Sequence, residues 1–215
     1  RMTPDTNSGS VMTKADLSDM EMNVVLAGVG GQGTLVAGKL LGILAIHLGL
    51  DVKVSEVHGM SQRGGSVITY VKIGRKVFSP IIEKGTADYC LAFEELEALR
   101  WSGLLKENGV LIVNSQKIKP LPVLMGKAAY PDHIEESLTA AAGTHALVKE
   151  FDALAVVLAA GSSKAVFMVM LGALSYRMPI PVEMWENAVS QVFAGQEKLI
   201  PMNLKAFHAG RELMQ

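Results

Sequence analysis

Two short stretches carry the residue types that could do chemistry. The denser is Ser55-Glu56-Val57-His58-Gly59-Met60-Ser61-Gln62-Arg63-Gly64-Gly65. It offers a carboxylate (Glu56), an imidazole (His58), a carboxamide (Gln62) and a guanidinium (Arg63), edged by Gly64 and Gly65. Arg63 suits a carboxylate or phosphate in a two-pronged contact. His58 could pass a proton or only donate a hydrogen bond. A plainer alternative is an internal Glu56–Arg63 ion pair on a glycine-shaped turn. The second stretch is Gly28-Val29-Gly30-Gly31-Gln32-Gly33, followed by Thr34. It fits G-x-G-x-x-G, in which glycines let the backbone turn tightly and approach a phosphate at a helix N-terminus. Glu56 lies where a dinucleotide fold keeps an acidic residue for the ribose, about 20 residues on. No Gly-Lys-Ser/Thr follows, so this is not a Walker loop. The glycines could also serve strand–helix packing alone.

The rest of the chain excludes much. No Ser-His-Asp set, Cys-His pair, HExxH or CxxC pattern occurs. Cys90 is the only cysteine, and an iron–sulfur cluster takes about four thiolates. A reducing, cytoplasmic setting fits. Cys90 falls in the strand-like run Tyr89–Phe93, where it reads as a small buried hydrophobe. His47, His133, His145 and His208 are isolated and read as surface or packing residues. The formal net charge is −1 with scattered Lys and Arg, which gives no footprint for nucleic acid. The apolar run Ala165–Leu174 is too short to span a bilayer, so no membrane partner is expected. Residues 1–21 are polar and read as a flexible tail, and 22–215 as one domain.

The elements that must position the two loops follow from periodicity. Asn23–Ala27 reads as a strand, and Thr34–Leu48 as a helix with Leu35, Leu40, Leu41, Leu44 and Leu48 on one face. Gly49 stops that helix, and a second strand carries Val52 and Val54. This unit predicts a parallel pair with a right-handed crossover, both loops starting at carboxyl ends of strands, where ligands bind. Further strands are expected at Ser66–Ile73, Asp88–Phe93 and Val110–Val113, with Val77-Phe78 pairing back as a hairpin. Glu94–Leu105 reads as a helix burying Leu96, Leu99 and Trp101. Residues 114–126 read as a proline-bearing loop. Helices are expected at Asp132–Ala142, Asp152–Ala160, Lys164–Tyr176, Val182–Phe193 and Leu199–Leu213. The Ala165–Leu174 run is apolar all round, which places it at the centre of the domain or in a subunit contact. The fold class is α/β: a three-layer Rossmann-like domain with a mostly parallel sheet and additional C-terminal helices.

The two loops in this order resemble the γ domain of the pyruvate/2-oxoacid:ferredoxin oxidoreductase family, and within it the indolepyruvate (arylpyruvate-type) branch. Ser79-Pro80, Ala87-Asp88, Ala92-Phe93-Glu94 with Glu97-Ala98-Leu99-Arg100, Gly109 to Asn114, Tyr130-Pro131, and Asn203 with Ala206-Phe207 extend the likeness over about residues 22 to 210. Phe167 departs from it, standing where a polar Asn is expected. The resemblance implies a small subunit that is inactive alone and binds no cofactor by itself. Thiamine diphosphate and iron–sulfur clusters would sit on a larger partner subunit. That partner would decarboxylate a 2-oxoacid, reduce ferredoxin and form an acyl-coenzyme A. Coenzyme A would be the co-substrate, and the isolated chain could form a homo-oligomer. The residues alone leave two other readings open: an NAD(P)-binding Rossmann-type oxidoreductase, and a non-enzymatic nucleotide-binding assembly module.

Overall fold

The computed structural model describes residues 14–59, 64–143 and 145–215. The first part of the expected tail, and Gln62 and Arg63 in the second loop, lie outside the described residues. Within the tail's expected bounds, Lys14–Ser18 forms a short helix (α1), and Leu17 is buried in the core. Among the described residues, secondary structure therefore begins before residue 22.

A six-stranded sheet in the order β2-β3-β1-β4-β5-β6 organises the molecule. Its strands are β1 (Met22–Val29), β2 (Asp51–His58), β3 (Ser66–Gly74), β4 (Ala87–Ala92), β5 (Leu105–Asn114) and β6 (Leu147–Phe151). β1, β4, β5 and β6 run parallel, and β3 is antiparallel to both β1 and β2. β1 is central and covered on both faces, which is why it is a nearly unbroken apolar run. The expected β1–β2 pair is not adjacent. β2 runs in the same direction as β1, but β3 lies between them, because the chain returns from β2 straight into an antiparallel partner. The Val77-Phe78 hairpin does not form, and one strand, β6, lies among the helices expected after residue 126. Val77 donates its amide to Asp51 while Phe78 is exposed, and β6 extends the sheet beyond β5.

One face of the sheet is covered by α2 (Thr34–His47), α6 (Ala153–Ala159), α7 (Val166–Arg177), α8 (Val182–Val192) and α9 (Ile200–Glu212). In α2 the apolar stripe buries Leu40, Leu41 and Leu44 as expected, but Leu35 is 63% exposed. Gly49 stops the helix at a φ of 72°, a conformation glycine adopts without strain. In α7 every residue from Met168 to Ser175 is buried within the chain. That resolves its all-round apolarity: it is the centre of the domain, not a subunit contact. It meets α9 backbone to backbone. A Cβ on Gly172 would lie 1.9 Å from the Phe207 carbonyl oxygen, and one on Gly210 would lie 1.9 Å from that of Val169. The Trp185 and Phe207 rings pack beside this seam, centroids 6.0 Å apart.

The opposite face is covered by α3 (Glu95–Trp101) and α5 (Ile134–Ala142), with the short α4 (Leu121–Leu124) between them in sequence. Cys90 is buried on this side, and burial pushes its thiol up to about 12. The two covered faces make the domain three-layered, as the fold class required.

Candidate ligand cleft at the carboxyl edge of the sheet

The glycine loop leaves β1 and turns into α2 through backbone geometry that only glycine adopts cheaply. Gly31 and Gly33 have φ of 94° and 88°. Gly33 also has Phe167 against it: a Cβ there would lie 2.9 Å from the ring. Phe167, the departure from the family pattern, therefore props the glycine loop from the α7 side. At Gly28 a Cβ would meet Gln32 Oε1 at 3.0 Å and Phe93 Cβ at 3.3 Å. The first glycine thus allows close strand packing.

Gln32 is a structural staple. Its Oε1 accepts the Val29 amide at 2.8 Å, and its Nε2 donates to the Phe93 carbonyl at 3.0 Å and to Gln116 Oε1 at 3.2 Å. The Gly30 amide is also committed, donating to the Gly65 carbonyl at 3.1 Å. That bond ties the first loop to the second. What remains for a ligand is the N-terminus of α2, which has no side-chain cap. The first-turn amides beyond Gly33, Thr34 among them, are left to water or an anion.

The second loop begins at the end of β2 and ends at the start of β3. His58 Nε2 sits 2.7 Å from Glu56 Oε1, and Thr69 donates its hydroxyl to Glu56 Oε2 at 3.2 Å. Glu56 is therefore already engaged. It also sits one strand further from β1 than a ribose-binding acid would, because β3 is interposed. At about 4.8 Å per strand, that doubles the distance from the glycine loop. The dinucleotide role expected of Glu56 has no support in this geometry. Gly64 has a φ of 74°, and the Gly65 carbonyl receives the bond from Gly30.

The structure brings these parts together. Gly30, Gly31, Gly33, Thr34, Leu35, Glu56, His58 and Val67 line one open cleft of about 540 Å³. Gln32 faces the other way. With Gly31, Gln116, Ser163 and Lys164 it lines a neighbouring hollow of about 440 Å³.

Sequence reasoning missed the α3 side of this edge. Periodicity placed Leu96, Leu99 and Trp101 inside, yet those are only partly buried. The buried side chains at the helix start are Glu94, Glu95 and Glu97, at 1%, 7% and 4% exposure. Glu94 Oε2 caps α3 by accepting the Glu97 amide at 2.9 Å. Its Oε1 accepts the Ile118 amide at 2.9 Å and the Tyr130 hydroxyl, so it fastens both ends of the segment after β5. Burial first, and then the bond to Glu94, push the Tyr130 phenol upward. Glu97 accepts from Ser66 Oγ at the foot of the second loop, from Trp101 Nε1 at 3.1 Å and from Arg100 Nε at 3.3 Å. The signal was present in the motif Ala92-Phe93-Glu94 with Glu97-Ala98-Leu99-Arg100. Apolar periodicity was the wrong rule there, since carboxylates at a helix start are stabilised by its amides.

The fold is a three-layer α/β domain with a loop-built cleft at the carboxyl ends of its strands. Among the described residues, no group of His, Cys, Asp and Glu could hold a metal, and no helix is long and apolar enough to cross a membrane. The chain belongs to the pyruvate ferredoxin/flavodoxin oxidoreductase family, whose pattern matches residues 23–213. It is a small subunit of that 2-oxoacid:ferredoxin oxidoreductase family. The indolepyruvate oxidoreductase subunit IorB of Thermococcus kodakarensis is 40% identical over 192 residues, covering 88% of this chain and 94% of its own. The gamma subunit of a keto/oxoacid ferredoxin oxidoreductase from Geobacter sulfurreducens superposes with a TM-score of 0.65 at 24% identity, covering 90% of this chain and 98% of that one. A 2-oxoglutarate:ferredoxin oxidoreductase from Magnetococcus marinus, solved with 2-oxoglutarate, coenzyme A and succinyl-CoA bound, shares the fold at a TM-score of 0.68 and 20% identity. The match covers 31% of that longer chain.

Proposed function

We propose that this chain is the non-cofactor-bearing small subunit of an indolepyruvate-type (arylpyruvate) 2-oxoacid:ferredoxin oxidoreductase. The observation that carries the reading is the 40% identity to IorB, spread over nearly the full length of both chains. A larger partner subunit holds thiamine diphosphate and the iron–sulfur clusters and passes electrons to ferredoxin. The single, deeply buried Cys90 agrees with clusters lying elsewhere. The cleft between the glycine loop and the second loop faces the partner's active site. The uncapped start of α2 holds an anionic group there, a phosphate of coenzyme A. Arg63 holds a second negative group or locks the loop by pairing with a carboxylate.

The test is co-expression with the larger subunit, followed by assay of chain, partner and complex. The complex should reduce ferredoxin or viologen with indolepyruvate and coenzyme A faster than with pyruvate or 2-oxoglutarate. The isolated chain should not turn over any of them. Turnover by the isolated chain, or failure of the two subunits to associate, would sink the reading.

A further inference from the structure

The position of Glu97 is hard to explain as fold stabilisation alone. Its carboxylate is 5% exposed and lies on α3, yet its contacts reach across to β3, the strand that leaves the second loop. One oxygen accepts both Ser66 Oγ and Trp101 Nε1, and the other faces Arg100. Trp101 and Arg100 belong to the same helix as Glu97, so they set its rotamer without reaching the cleft. Ser66 is different. It is the first residue of β3, and its neighbour Gly65 supplies the carbonyl that accepts the Gly30 amide. The Ser66 carbonyl in turn accepts the Gly59 amide at 3.2 Å, closing the base of the second loop. A single buried carboxylate is thus linked, through one residue, to both walls of the cleft.

We propose that Glu97 is a positioning residue: through Ser66 it fixes the foot of the second loop, and through the Gly65–Gly30 bond it fixes the glycine loop, so that the two walls hold the spacing a phosphate-bearing ligand needs. This rests on the reading of the cleft as the coenzyme A site. Loss of the tether loosens the start of β3, which is then held only by its pairing with β1 and β2. A shift well under 1 Å is enough to spoil a site that must hold its geometry within about 0.5 Å. The effect falls on binding, because Glu97 and Ser66 lie behind the cleft and are not among its lining residues.

Ser66→Ala is the cleanest variant. It removes the tether and leaves Glu97 its two bonds on α3. In the reconstituted complex, the apparent KM for coenzyme A should rise about three- to tenfold, the loss of one ordinary to charge-assisted hydrogen bond. kcat and the KM for the 2-oxoacid should stay within about twofold, and Ser66→Thr should restore the KM. In the isolated chain, Ser66→Ala should speed amide exchange in peptides over Gly28–Thr34 and Ser66–Tyr70. Leu35→Glu separates this from the cleft reading. It puts a negative charge on the exposed rim and should raise the same KM by repelling phosphate. If Leu35→Glu raises the KM and Ser66→Ala leaves it unchanged, the positioning role of Glu97 is overturned and the cleft reading stands. If neither variant moves it, the cleft reading fails and takes the positioning proposal with it.

Discussion

On the α7 side of the sheet the chain buries almost only apolar side chains, with Ser175 and Asn203 as the polar exceptions on α7 and α9, and brings backbones into contact through Gly172 and Gly210. On the α3 side, at the edge where both loops emerge, it buries Glu94, Glu95 and Glu97. These two regions use opposite physics. Apolar packing is non-directional, so the α7–α9 seam gains its stability from close approach and from water excluded on every side. A buried carboxylate gains little net stability and has strict geometry. The chain places directional contacts where loops must be held, at Ile118, Tyr130 and Ser66, and non-directional contacts where only density matters. If that division holds, substitutions on the two sides should differ in kind as well as size.

The largest effect is expected at the seam. Gly172→Val would force a side chain into the Phe207 backbone, and backbone cannot move aside as a flexible side chain does. The cost should reach about 3 kcal/mol or more, at the upper end for overpacking. Denaturant unfolding, or loss of soluble chain, measures it. Gly42→Ala in α2 is the matched control, because nothing lies within 4 Å of its added Cβ. It should be neutral or stabilise by about 0.5–1 kcal/mol. Equal effects at the two glycines would remove the backbone-contact account of the seam.

A smaller effect is expected at Glu94, and of a different sort. One of its oxygens accepts two donors and the other accepts a third. Glu94→Gln keeps the shape but offers one amide NH2, which must face a donor whichever way the group turns. The expected cost is about 2 kcal/mol in denaturant unfolding, with amide exchange raised over Ile118–Tyr130. A cost no larger than that of an ordinary surface substitution would mean this carboxylate does not hold the segment after β5.

The same division explains how much the sequence could reveal. β1, the glycine loop, α2 and the C-terminal helices are legible because apolar spacing reports their buried faces directly. The two loops are legible as chemistry, and the structure does place Gly30, Gly31, Gly33, Thr34, Glu56 and His58 around one cleft. Three things were not legible. The insertion of β3 between β1 and β2 depends on which strand captures which edge, and local pattern carries no record of that. β6, in Leu147–Phe151, is short and only partly buried, so its alternation is weak. The third is the burial of Glu94, Glu95 and Glu97 at the start of α3, because a carboxylate's burial depends on donors far away in sequence: Ile118, Tyr130 and Ser66.

The smallest expected effect concerns Glu150, at the end of β6, where the polar side reaches the sheet's other edge. One of its oxygens is buried with no donor among the described residues. Burial first, and then the neighbouring Glu95 and Glu135 carboxylates, raise Glu150 from 4.5 to about 7, while Lys117 pulls the other way. Glu95 lies beside Glu150, and a neighbouring carboxylate favours the protonated form of Glu150. The sign follows from linkage. The folded chain holds this proton more tightly than the unfolded chain, so stability is greatest below pH 4.5 for this group. It falls as pH rises from about 4.5 through about 7. Glu150 is partly exposed, so solvent screens much of the interaction and the change should stay below about 1 kcal/mol. Glu150→Gln keeps a group that can donate to Glu95 at every pH. It should flatten that part of the stability–pH curve, measured as thermal midpoints from pH 5 to 8, and leave Gly42→Ala and Glu94→Gln with the wild-type slope. A wild-type slope in Glu150→Gln itself would place the titration on another group and overturn the assignment to Glu150.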